Sequence, residues 1–144
     1  MPAIWHITPS LEQLNQSKHT MLGHLGIEFT EVGDDYISAR MPVDHRTHQP
    51  AGLLHGGASV TLAETLGSTG AFLCVDRERF QVVGLEINAN HVRGVTEGWV
   101  TGTARSLHRG RTTQLWEIRI VDAAGKLVCI SRITMAVLDK KPAA

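Results

Sequence analysis

Between Gly57 and Val75 the chain carries one charge, Glu64, among Gly, Ala, Ser, Thr, Leu, Val and Phe. A carboxylate is costly to strip of water, so one set alone in so apolar a stretch marks a candidate reactive group. A helix-surface glutamate on a wet stripe is disfavoured because no other charge shares the stripe; a structural carboxylate bonded within a dimer stays open. Just upstream stand His55, Gly56 and Gly57. If a helix begins there, the free N–H groups of its first turn and the positive end of its dipole suit a carbonyl oxygen that gains negative charge. Gly56 would let a ligand approach that backbone closely. His55 and Gln49 flank the point; a neutral imidazole or an amide there would orient a carbonyl or hold the loop. Ser68 follows Glu64 by one helical turn on the same face. It would bond the carboxylate, place a water, or bond back to the helix carbonyl one turn earlier.

Bulk properties narrow the partners. The 144 residues hold 14 basic and 14 acidic side chains, and 42% of them are hydrophobic. That describes one folded domain, 1–144, with no global field for nucleic acid or an anionic membrane. The start, Met1-Pro2-Ala3-Ile4-Trp5-His6, lacks a basic region followed by an apolar run, and no stretch is apolar enough for a membrane span. Cys74 and Cys129 lack CxxC spacing and read as reduced core thiols. A cytoplasmic location is expected. His45 and His48 form an H-x-x-H without further ligands at fitting spacing, and no P-loop, dinucleotide fingerprint or G-x-S-x-G occurs. No metal and no cofactor is expected.

The elements that must position these groups follow from patterning. Thr8-Pro9 reads as a cap opening a short helix to about Gln16, and a second turn covers Thr20 to His24. Ile27–Val32 and Tyr36–Met41 read as strands joined at Gly33-Asp34-Asp35; Pro42–Gly52 reads as loop. Residues 57–75 read as a helix apolar all round and therefore buried, with Gly67 and Gly70 placed for close approach of a sheet or ligand. Four strand-like runs follow, at 81–91, 99–107, 112–122 and 127–138. The alternation Trp116-Glu117-Ile118-Arg119-Ile120 fits a sheet with one wet face. The expected fold is α+β, a curved antiparallel sheet of about six strands wrapped around one long central helix, preceded by a short helix.

This order resembles the hotdog fold. The run Gln49-Pro50-Ala51-Gly52-Leu53-Leu54-His55-Gly56-Gly57, then Ala63-Glu64 and Ser68, resembles the hotdog thioesterases whose catalytic carboxylate lies on the central helix. Val83-Gly84-Leu85-Glu86-Ile87-Asn88-Ala89-Asn90-His91-Val92-Arg93 extends the likeness, which is strongest toward small aryl-CoA and aryl-carrier thioesterases. The resemblance implies hydrolysis of a thioester of coenzyme A or a carrier protein. Glu64 would be nucleophile or general base, the Gly56 N–H would polarise the carbonyl, and His55, Gln49 and Ser68 would assist. Arg93, Arg109, Arg111 and His91 are candidates for the carrier phosphates, with Val83 and Gly84 offering backbone to the pantetheine arm.

Eight residues separate Gly56 from Glu64, roughly 12 Å along a helix. That is too far for both to meet one thioester, whose carbon must lie about 3–3.5 Å from the attacking oxygen. A homodimer in which Glu64 and Ser68 face the partner's His55 and Gly56 is therefore expected. A homotetramer, a dimer of such dimers, is expected beyond it. Two alternatives remain: a non-catalytic acyl-CoA binder, and an enoyl-thioester hydratase, which would want an Asp/His pair that the sequence lacks.

Overall fold

The computed structural model describes residues 2–142, so Met1, Ala143 and Ala144, the ends of the expected 1–144 domain, lie outside it. Two short helices, α1 (Leu11–Leu14) and α2 (Met21–Leu25), precede strands β1 (Glu28–Val32) and β2 (Tyr36–Val43). A long helix, α3 (Gly56–Leu73), leads into β3 (Phe80–His91), β4 (Gly98–Arg109), β5 (Thr113–Val121) and β6 (Leu127–Asp139). The six strands form one antiparallel sheet in the order β1-β2-β4-β5-β6-β3, wrapped around α3 as expected for a hotdog fold.

The first helix starts later than expected. Ser10, not Thr8, is its N-cap: Ser10 Oγ accepts from Gln13 N–H while the Gln13 side chain accepts from Ser10 N–H. That reciprocal pair satisfies two end donors at once, which a lone threonine before proline cannot do.

Leu62, Ala63, Leu66, Gly67, Gly70 and Ala71 of α3 are buried against Ile118, Ile120, Ile133, Met135 and Trp116 of the sheet. Both helix glycines answer to the sheet. A Cβ on Gly67 would stand 2.4 Å from Ile133 Cγ2, and one on Gly70 2.8 Å from the Trp116 ring. The cost of glycine in a helix is offset by that close packing. Trp116 is fully buried, its indole N–H donates to Gln114 Oε1 at 2.9 Å, and Trp5 stacks on it at 6.1 Å.

The helix is not buried all round, contrary to the expectation from its composition. Gly57, Glu64 and Phe72 are exposed along one stripe, with Thr61, Thr65 and Ser68 half-buried between them. Small uncharged residues gave the stripe no polar signature, so the sequence could not separate it from the core face. Strand β3 lies at the sheet margin and leaves one long edge unpaired, where Leu85 is 60% exposed. A long unpaired edge of this kind invites another strand. A bulge between Gly84 and Glu86 breaks its register with β6.

Candidate active site

The loop before α3 is stitched in place before the helix begins. Thr47, 2% exposed, donates from Oγ1 to the Pro42 carbonyl at 2.7 Å. His55 N–H donates to the Thr47 carbonyl at 2.8 Å, and Leu54 N–H to the Val95 carbonyl at 2.8 Å. Gly52 closes the turn at Gln49–Leu53 with φ +84, a left-handed conformation suited to glycine. The Arg46 guanidinium, 2.8 Å from Asp44, holds that carboxyl down at about 2.

His55 is the N-cap of α3, and its Nδ1 accepts from the Gly57 N–H at 2.8 Å. That fixes the neutral tautomer with its proton on Nε2. Ala58 and Ser59 N–H both bond the His55 carbonyl, while the Gly56 N–H has no acceptor within the described chain. One donor at the positive end of an 18-residue helix is thus left unspent. The His91 ring lies over this spot, its Nε2 2.8 Å from where a Gly56 Cβ would be.

Gly56, His91, Gln49 and Arg93 line one cavity of about 390 Å³, together with Ser59 and Leu53. The Gln49 side-chain carbonyl accepts from Ala51 N–H, leaving its NH₂ group with no partner in the described chain. Sequence reading overlooked Ser59, 1% exposed; its only signal was its position one turn after Gly56.

Glu64 lies elsewhere. Its carboxylate rests against Gly84 of β3, where an added Cβ would stand 3.3 Å from Oε1. It is exposed, not sequestered, within the single chain. The Ser68 hydroxyl donates to the Glu64 backbone carbonyl at 2.5 Å, the back-bonding alternative, and does not touch the carboxylate. Val83 and Gly84 are exposed at the free β3 margin. Arg109 and Arg111 sit around the β4–β5 turn, with Arg109 beside Cys74 at the far end of α3. At about 1.5 Å per residue the helix separates them from Gly56 by roughly 27 Å. His91 and Arg93 are thus not grouped with Arg109 and Arg111 in one chain. His48 Nε2 meets the Thr96 carbonyl at 2.8 Å. Among the described residues no group of three His, Cys, Asp or Glu is placed to hold a metal, and no helix is long and apolar enough to cross a membrane.

A curved sheet around one helix, with a lone carboxylate mid-helix and an unspent amide at its tip, defines a hotdog domain built for acyl chemistry. Residues 51–129 match the thioesterase superfamily, and the chain belongs to that family of thioester hydrolases. It is 53% identical to the 1,4-dihydroxy-2-naphthoyl-CoA hydrolase of Escherichia coli, over 94% of this chain and 99% of that one. It is also 53% identical to the proofreading thioesterase EntH of Cronobacter turicensis, over 94% and 98%. Among solved structures, a glutamine-to-alanine mutant of a Pseudomonas aeruginosa thioesterase superposes with a TM-score of 0.94 at 53% identity, covering 96% of this chain and all of that one.

Proposed function

We propose that this chain, as one domain, hydrolyses an aromatic acyl thioester of coenzyme A or a carrier protein in the cytoplasm, releasing acid and thiol. The observation that carries the reading is the pair of unspent groups: the Gly56 N–H at the tip of α3 and the Glu64 carboxylate over Gly84. The naphthoyl-CoA hydrolase name of one relative supports the aryl-thioester class, and the proofreading thioesterase name of another supports thioester hydrolysis. Bound with its carbonyl oxygen on the Gly56 N–H, the thioester carbon becomes electrophilic. Glu64 then either attacks it, expelling the thiolate and leaving a mixed anhydride for water to open, or removes a proton from the attacking water.

The two groups work together if two chains pair at the free β3 edge. Consider antiparallel pairing about a two-fold axis at Asn88. Glu86 then lies opposite Asn90 of the partner subunit and, past the bulge at Leu85, Gly84 lies opposite the partner's His91. Gly84 carries Glu64 above it, and His91 carries Gly56, within each chain. Directly opposed residues are about 5 Å apart, so this register brings Glu64 to the partner's helix tip and closes the 12 Å gap along one helix. The same pairing leaves Phe80–Val83 unpaired for a pantetheine arm. A dimer of such dimers, a homotetramer, is part of the same reading.

Thiol release measured on wild type and Glu64→Gln tests the assignment. A drop of at least about a hundredfold in kcat is expected for loss of the attacking or proton-accepting group. Equal release by both proteins would overturn the assignment of Glu64, and release by neither would leave only an acyl-CoA binder. Single-turnover hydrolysis in isotopically labelled water separates the two routes: label in the Glu64 carboxylate identifies attack by the side chain.

A further inference from the structure

Charge is unevenly spread over a chain whose net charge is zero. The α3–β3 loop, the β4–β5 turn and the end of β6 meet at one end of the sheet. Lys140 N–H donates to the Arg79 carbonyl and Val137 N–H to the Thr112 carbonyl, both at 2.9 Å, and Arg109 lies beside Cys74, the C-cap of α3. Arg77, Arg79, Arg109, Arg111, Lys140 and Lys141 gather there, all exposed, against Asp76, Glu78 and Asp139: six cations to three carboxylates. Strands β1 and β2 at the opposite margin reverse the balance, with Glu28, Glu31, Asp34 and Asp35 against Arg40.

This end is also where the free β3 edge begins. Arg79 precedes by five residues the Gly84 over which Glu64 lies, roughly 16 Å along an extended strand. A pantetheine arm is built of three amino-acid-sized units, cysteamine, β-alanine and pantoate, so laid along that edge it covers about 10–11 Å. The sulfur and phosphate at its two ends carry it the rest of the way, from Glu64 to the start of the strand. Whatever bears the arm then sits on the cations. Neighbouring strands lie about 4.8 Å apart, so the ends of β5, β6 and β3 spread these charges over roughly 10 Å. The cavity at this end, about 620 Å³, is lined by only two of them, Lys140 and Lys141. Donors converging on one pocket suit the phosphates of a nucleotide. Dispersed, exposed cations suit a broad acidic protein face, which they draw in from a distance and orient.

We infer that this basic end is a docking surface for an acidic carrier domain, whose pantetheine arm enters the site along Phe80–Val83. The inference rests on the thioesterase reading and deepens it, naming carrier-protein thioesters as the substrate class.

The test uses benzoyl-pantetheine, benzoyl-CoA and a benzoyl-loaded acidic carrier protein, on wild type and on a variant combining Arg79→Gln, Lys140→Gln and Lys141→Gln. For the carrier thioester the variant should lose about tenfold in kcat/KM, the size of several exposed charge pairs, with kcat nearly unchanged. Added salt should erase that difference. Both proteins should cleave benzoyl-pantetheine within about twofold of each other, and benzoyl-CoA should lose less than the carrier thioester. The inference is overturned if both proteins cleave the carrier thioester equally, or if a wild type that cleaves the other esters leaves it intact. An equal or larger loss on benzoyl-CoA overturns it by assigning the cations to nucleotide phosphates, and an equal loss on benzoyl-pantetheine by assigning them to the fold. If wild type cleaves none of the three esters, the thioesterase reading itself fails.

Discussion

The unspent Gly56 N–H can be deleted almost without touching the fold, because proline fits there. Gly56 is the first residue of α3, the position where proline's missing N–H costs no helical bond. Its φ is not positive, and the preceding His55 is extended at φ −67, ψ 130, the conformation a following proline requires. The ring's Cβ would come 2.8 Å from His91 Nε2, the far end of an exposed side chain that can swing aside. Gly56→Ala adds the same Cβ but keeps the N–H, so it isolates the steric effect. Removing one preorganised donor to a developing oxyanion costs roughly 10²–10³ in kcat. Gly56→Pro should therefore fall by that factor below Gly56→Ala in a thiol-release assay. Its melting temperature should match or exceed the alanine variant's, since proline restricts the unfolded chain. Equal kcat in the two variants would refute the role given to the amide.

Four further outcomes are expected. Mixing inactive Glu64→Gln with inactive Gly56→Pro under subunit exchange should restore about a quarter of wild-type activity, since half the dimers are mixed and each has one intact site; a dead mixture would place both groups in one chain. Asn88→Cys should form a disulfide-linked dimer on mild oxidation, because opposed residues at a two-fold lie about 5 Å apart, within disulfide range; its absence would reject the register. Gly70→Ala, whose Cβ would press on the buried Trp116 ring at 2.8 Å, should lose about 1–3 kcal/mol in denaturant unfolding despite alanine's better helix propensity. Burial pushes the Cys74 thiol up to about 11, outweighing the nearby Arg109, and Cys129 is fully buried; a thiol reagent at neutral pH should label neither until the protein is unfolded.

Local signals in the sequence were enough for element order and for singling out the candidate groups on α3 and at its tip. Alternation found all six strands, and a long run without charge found α3 and its one carboxylate. The glycines at 67 and 70 announced close packing, which Ile133 and Trp116 supply. What failed was whatever depends on which surface a residue meets. Thr8-Pro9 looked like a cap, yet the Ser10/Gln13 pair won because it satisfies two donors. The α3 stripe bearing Glu64 looked buried, since Gly, Thr and Ser do not distinguish a core face from an exposed one. Only the fold decided that β3, the strand after the helix, pairs with β6 and leaves its other edge bare. Only the fold set Glu64 over Gly84, and His91 over Gly56. These are contacts between residues twenty or more positions apart, fixed by how the sheet closes on the helix and by no propensity of the residues themselves.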